Sequence, residues 1–167
     1  MSLWLSGIGV SRGIAIARIQ KLHGGDLEAP EYTLSAERVE PEIARFYAAV
    51  QRAREQLRQV RGQIPAGTPD DIGAFIDTHL LMMDDRSITE ATVQLIRDQK
   101  LNAEAALRRS RDALVDVFEQ MDDAYLRTRK DDVEHVCGRI LRILLVLLLV
   151  IVIGAVAMVF YYDSKLH

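Results

Sequence analysis

Residues 143–162 read ILLVLLLVIVIGAVAMVFYY, twenty consecutive positions without a charge. No other feature restricts the fold as strongly. As a helix the run is roughly 30 Å long, the thickness of a bilayer core. Fourteen of its residues are Ile, Leu, Val or Phe. At about −0.3 kcal/mol each or better near the midplane, they favour insertion by roughly 4 kcal/mol before end effects. Tyr161 and Tyr162 stand where an interfacial aromatic pair belongs. Arg127, Arg129, Lys130, Arg139 and Arg142 precede the run and Lys165 alone follows it, which orients the preceding chain towards the cytoplasm. The competing reading is a buried core helix or strand pair, and the uninterrupted length speaks against it. The sequence therefore predicts a transmembrane helix at 143–162 with a short tail at 163–167, the layout of a tail anchor.

What precedes that run is patterned for helices. Val39, Ile43, Phe46, Val50, Ala53, Leu57, Val60 and Ile64 alternate steps of four and three, the seam of a helix lying along another helix. Pro41 is costly deep inside a helix, so the regular part is expected to begin near Glu40, with Gly67 just past its end. Residues 68–86, TPDDIGAFIDTHLLMMDDR, open with a start signal. Thr68 can cap, Pro69 suits the first helical position, and Asp70 and Asp71 sit where the helix dipole favours negative charge. Ile72, Phe75, Ile76, His79, Leu80 and Met83 share one predicted core face, while Leu81 and Met82 lie off it and Asp84-Asp85-Arg86-Ser87 breaks the period. Such a segment buries one face and offers the other to a partner; the blander reading is a core helix with a polar stop.

Further on, Ile88, Ala91, Leu95 and Ile96 mark a shorter helix ending near Lys100. Asn102 can cap the next, where Ala106, Leu107, Leu114, Val117, Phe118 and Met121 form a stripe. Asp122 or Asp123 can start another, with Leu126, Val133, Val136, Ile140 and Ile143 inward. Short connections imply antiparallel neighbours. The expected fold class is thus mainly α: an antiparallel bundle over residues 21–142, ahead of the membrane helix. Before it, residues 3–9 and 14–19 read as two short strands within a segment 1–20. Gly7, Gly9 and Gly13 are spaced GxGxxxG, one residue off the dinucleotide fingerprint and without its acidic partner, so no nucleotide site is assigned.

Composition narrows the function. The chain has 167 residues, a net charge of −3 and 27% charged residues, which argues against a protein that neutralises nucleic-acid phosphates. One cysteine, Cys137, excludes an internal disulfide and a cysteine-rich zinc site. Met1-Ser2-Leu3-Trp4-Leu5 lacks a signal peptide's basic region and apolar core, so the head is expected in the cytoplasm. His23, His79, His135 and His167 show no metal spacing and no triad arrangement. Asp84-Asp85 and Asp122-Asp123 are adjacent pairs, which on a helix do not face each other as an acid and base must. The residues point to a binding or scaffold protein, with no cofactor or metal in this chain.

Ser6-Gly7-Ile8-Gly9-Val10-Ser11-Arg12-Gly13-Ile14-Ala15 resembles the opening of Enzyme I of the bacterial phosphoenolpyruvate:sugar phosphotransferase system, phosphoenolpyruvate-protein phosphotransferase. So do SAERVEPEIARF, AFIDTHLLMMDD, LIRDQKLNAEAAL and MDDAYLRTRKDDVEHVCGRILRIL, in order, over residues 6–145. The H-x-L-M-x-D helix end and the DDAYLR-x-R run are the specific elements, and the nitrogen-system paralogue fits equally. The resemblance implies a helical domain that binds the phosphocarrier HPr and carries no catalytic residue. Its docking surface falls on Asp70, Asp71, Ala74, His79, Leu81, Met82, Asp84 and Asp85, with Arg108 and Arg129 on neighbouring helices. Arg86 and Ser87 stand where the family often has acidic residues, and Arg12 where it usually has proline. In that family the first strands join an α/β domain bearing a phosphohistidine, followed by a barrel that binds phosphoenolpyruvate and magnesium. Here the apolar run follows instead, so none of the four histidines is expected to be that phosphohistidine. The leading expectation is an anchored HPr-docking module. The alternative is a membrane-anchored helical scaffold for another protein.

Overall fold

The computed structural model describes residues 29–65 and 67–166, and these form five α-helices after a 3₁₀ turn at Ala36–Arg38. They are α1 (Val39–Gly62), α2 (Asp70–Asp84), α3 (Arg86–Gln99), α4 (Ala103–Glu119) and α5 (Ala124–Leu166). The strands expected at 3–9 and 14–19 lie outside the described residues. α4 packs between α3 and α5, and α1 lies across α5, α2 and α3. The expected mainly α bundle is what forms.

Helix α1 follows its seven-residue pattern closely. Val39, Ile43, Phe46, Val50, Ala53 and Leu57 are all buried, and Pro41 falls in the first turn, where its missing N–H has no helical acceptor. The pattern overshoots at its end: Val60 is 48% exposed and Ile64 lies beyond the helix. At α2 the start differs from expectation. Pro69 occupies the cap position and Asp70 is the first helical residue. The Thr68 hydroxyl donates to the Pro65 carbonyl at 2.8 Å instead of accepting from the helix. The buried side of α2 is also rotated from the predicted stripe. Gly73, Ile76, His79 and Met83 are buried, whereas Ile72 and Phe75 are 49% and 54% exposed. The Arg61 guanidinium of α1 lies over Gly73 and pairs with Asp77 at 3.1 Å, which covers the glycine. The flank bearing Ile72 and Phe75 faces solvent.

Asp85 caps α3 by accepting from the Ser87 N–H at 2.8 Å, and Lys100 ends it in the left-handed region at φ 53°. Asn102 does precede α4, but its side chain bonds elsewhere: Oδ1 accepts from the Tyr32 N–H and Nδ2 donates to the Pro30 carbonyl and to Glu104. Glu42 of α1 accepts from the buried first turn instead, at the Ala103 N–H, 2.7 Å away. On α4, Ala106 and Leu107 are buried, Leu114 and Phe118 half-buried, and Val117, expected inward, is exposed. On α5 Val133, Val136, Ile140 and Ile143 face the core as expected; Leu126 is outside the described side chains.

Helix α5 then leaves the bundle without a break. Ile143 and Leu144 are buried, at 8% and 0% exposure, so the apolar run begins inside the head and not at its edge. Beyond it Val146, Leu149, Val150, Ile151, Val152, Ile153, Val156 and Met158 are all exposed. Five consecutive positions, 149–153, cover every side of a helix, so this part has no protein neighbour. Arg129–Met158 is long and apolar enough to cross a membrane, and only 24% of its most apolar window is buried.

Candidate functional site

One end of the bundle gathers the C-terminal turns of α2 and α4 and the first turns of α5. They enclose a shallow cleft of 310 Å³ lined by Thr78, Leu81, Met82, Asp85, Phe118 and Arg129. Leu81 is 70% exposed at its rim, while Met82 is half-buried against the core. Ile72 and Phe75 add exposed apolar surface nearer the start of α2, on a different side of the helix from Leu81. The ends of α2 are acidic: Asp70 and Asp71 at the helix start, Asp84 and Asp85 at its finish, all exposed. Asp84 is held by Arg54 of α1 at 2.6 Å, and Arg54 also donates to the Met83 carbonyl. The finish of α2 is thus fixed from behind.

Of the residues expected to dock a partner, Leu81, Met82, Asp85 and Arg129 line one cleft. Asp70, Asp71 and Ala74 are exposed but lie roughly 10–17 Å back along α2 from Leu81, and Asp84 turns to Arg54 of α1, so these four do not line it. His79 lies beneath. It is 5% exposed, with the Phe75 ring centroid 4.2 Å from its own, so it supports the apolar face from the inside. Burial lowers its pKa below the ordinary histidine value; Asp132 opposes this, and His135 and Arg139 add to it. Arg108 sits ten residues before Phe118, about 15 Å along α4, where its guanidinium is 3.9 Å from Glu31. It belongs to the opposite end of the bundle. Phe118, Phe75 and Ile72 were missed as surface residues because their helical spacing matches that of core residues. Periodicity finds the apolar arc but not which edge a neighbour covers.

Arg129 donates to Asp132 at 3.0 Å, and Lys130 pairs with Glu119 at 2.9 Å across the α4–α5 junction. The cleft therefore offers aliphatic and aromatic surface, one guanidinium and one carboxylate. Among the described residues, no group of three or more His, Cys, Asp or Glu side chains is gathered as a metal would need. Buried Cys137 has its thiol pushed up to about 12 by desolvation, the state of a packed side chain and not of a nucleophile.

Residues 6–129 match the family described as PEP-utilising enzyme, N-terminal. The chain belongs to that family. Its relatives include phosphoenolpyruvate-protein phosphotransferase of Cupriavidus necator, 35% identical over 144 residues, covering 86% of this chain and 25% of that protein. The counterpart of Geobacillus stearothermophilus is 36% identical over 141 residues, with 84% and 24% covered. The chain thus spans about a quarter of the length of these curated relatives. Two solved structures share the fold of this PEP-utilising N-terminal domain. A solution structure of Enzyme I (nEIt) superposes with a TM-score of 0.66 at 22% identity, over 72% of this chain and 48% of that one. The N-terminal domain of Enzyme 1 - Nitrogen gives 0.63 at 20%, over 70% and 48%. The sequence resemblance to Enzyme I is shown, and both of its branches remain represented.

Proposed function

We propose that this chain is a docking module for the phosphocarrier HPr, or its nitrogen-system counterpart, anchored on the cytoplasmic face of a membrane by the exposed part of α5. The observation that carries the docking role is the cleft at the α2–α4–α5 junction, where Leu81, Met82 and Phe118 meet beside Asp85 and Arg129. An apolar patch with a carboxylate at its edge complements a carrier whose active face is basic and apolar. The relatives' name, phosphoenolpyruvate-protein phosphotransferase, supports a place in a phosphotransferase system such as the sugar system. Binding, not chemistry, is what the described side chains support. The anchoring role rests on the exposed apolar surface of α5 at residues 149–153, together with the basic residues that precede the apolar run.

Arg86 favours the second reading, a scaffold for a different protein. Its side chain is 85% exposed next to Asp85 and pairs along its own helix with Glu90 at 3.0 Å. A cation there shifts the charge pattern presented to a basic partner. The test is an NMR titration of isotope-labelled HPr with the full chain in lipid nanodiscs. Perturbations confined to one face of HPr and lost with Leu81→Asp are expected. No perturbation at millimolar concentrations would favour the scaffold reading.

A further inference from the structure

The two functional ends of this chain lie on one helix, and a buried polar cluster clamps that helix where it leaves the head. Arg45 of α1 donates to Glu42 at 2.6 Å and to both oxygens of Glu104 at 2.9 and 2.8 Å. Its Nη1 also donates to the Leu144 carbonyl at 3.2 Å. Helical carbonyls have a second lone pair free for such a bond. Asn102 donates to Glu104 at 2.9 Å, and Glu42 accepts from the Ala103 N–H. The cluster is largely buried: the Arg45 and Glu104 side chains are 12% and 0% exposed. Burial works against the charge on Arg45, but the two carboxylates outweigh it and hold the guanidinium above its ordinary pKa. In the same way Arg45 overcomes burial at Glu104 and keeps its pKa low. A single side chain thus joins α1, α4 and the last buried turn of α5.

We propose that α5 is a rigid strut, locked by Arg45, that holds the docking cleft at a fixed height and orientation above the bilayer. This rests on the membrane and docking readings above. Leu144 is fully buried, Leu145 and Leu147 still pack on the core, and every side is exposed from Leu149, so the helix emerges about one turn past the clamp. The cleft lies at the other end of the head. Lys130 meets Glu119 there, while Glu104 meets Arg45 at the exit. From Arg129 to Leu144 on α5, and from Phe118 to Glu104 on α4, the rise is about 22 Å either way. Two antiparallel helices agree on the separation. None of the four prolines falls in α5, and sharp bends need such a cause. Val133, Val136, Ile140 and Leu141 seat the helix on the core between the two ends. A docked carrier would sit beyond the head, clear of lipid, with one fixed facing.

Double electron–electron resonance in nanodiscs tests this on the full chain, with spin labels at Gln120→Cys near the cleft end and Met158→Cys in the span. Cys137, buried and with a raised pKa, leaves the two introduced thiols to react. The expected result is one narrow distance distribution near about 45 Å. A Gly-Gly-Ser-Gly insertion after Val146 should broaden it at least twofold, and so should Arg45→Met. If Arg45→Met does not fold, Arg45→Lys, which loses the fork that reaches both Glu104 and Leu144, takes its place with the same expectation. A broad distribution in the unaltered, nanodisc-bound chain overturns the strut. A distribution that stays narrow in the folded Arg45 variant overturns Arg45 as its lock. Recovery of the chain outside the nanodisc fraction overturns the membrane reading instead.

Discussion

His79 and Arg129 share one carboxylate. Asp132 accepts from Arg129 at 3.0 Å through Oδ2, and its Oδ1 lies 3.5 Å from His79 Nε2. The longer contact is electrostatic: at that distance the imidazole nitrogen makes no hydrogen bond, and it is otherwise without a partner. Asp132 thereby ties a buried group behind the apolar face to the guanidinium that lines the cleft. A change of charge at His79 acts on the residue that orients Arg129.

The pH dependence follows from the lowered pKa of His79. Burial is the first cause, and Asp132 compensates only in part. The unfolded chain takes up the proton near the ordinary value of 6.5 and the folded chain at lower pH. Stability from this group is therefore complete above about 6.5 and lost as pH falls from there towards the folded pKa. Urea unfolding at pH 7.5 and 5.5 should show the loss, and His79→Asn should flatten it. A wild type that gains on the variant as pH falls would reverse the sign and refute the assignment.

Docking should depend on Leu81 and Phe118. Leu81 is 70% exposed, so Leu81→Asp should leave the melting temperature within a degree or two of the parent, a surface change of about 0.5 kcal/mol or less. Anchors at the centre of an interface commonly contribute about 2 kcal/mol or more, and carrier affinity should fall at least tenfold. Phe118→Ala should weaken binding as well, with some loss of stability because that ring is half-buried. Affinity unchanged in both variants would remove the cleft from the docking surface.

Much of this was legible in the sequence, and the failures share a cause. The seam from Val39 to Leu57 was readable because each of its residues meets another helix directly. Ile72 and Phe75 were misplaced because the arc 72/75/76/79/80/83 is wider than the surface α1 and α5 cover. The contact that covers Gly73, from Arg61, joins residues twelve apart across a turn, and no local period records it. The Asn102 cap was placed correctly but works differently, since Glu42, sixty-one residues before Ala103, fills the role. Leu144 reads the same whether it faces lipid or core, and its burial shows only in the structure. At the site, Leu81 and Met82 were legible from their offset to the stripe. Phe118 was not, because it lies on a different helix with a core-like spacing.

Gly73→Ala should stabilise the protein slightly. A Cβ there would come within 2.9–3.0 Å of the Arg61 guanidinium and nothing else. That group is the far end of a flexible side chain, 45% exposed, and it can swing aside. The cost is a surface ion pair with Asp77, about 0–1 kcal/mol. The gain is alanine's helix propensity over glycine's, about 1 kcal/mol. The net expectation is a rise of up to about 1 kcal/mol in urea unfolding. A loss exceeding that amount would mean that Arg61 cannot move and holds α2 on α1.

Two truncations separate the anchor from the core. Removing everything after residue 148 takes away the part of α5 that begins with the solvent-exposed run Leu149–Ile153 and spares every residue packed on the core. The product should leave the membrane fraction, need no detergent and melt close to the full chain. Ending at residue 142 also strips Ile143 and Leu144 from the core and leaves Arg45 without its carbonyl acceptor. Deleting one buried Leu or Ile side chain costs about 2–5 kcal/mol. The shorter product should therefore melt at a clearly lower temperature and be prone to aggregate. Circular dichroism melts of both, beside carbonate extraction of the full chain, check the two claims independently. Equal melting of the two truncations would put the edge of the head before Ile143. A full chain that is monomeric and soluble without detergent would show that the apolar run is covered by protein, and the anchor would have to be abandoned.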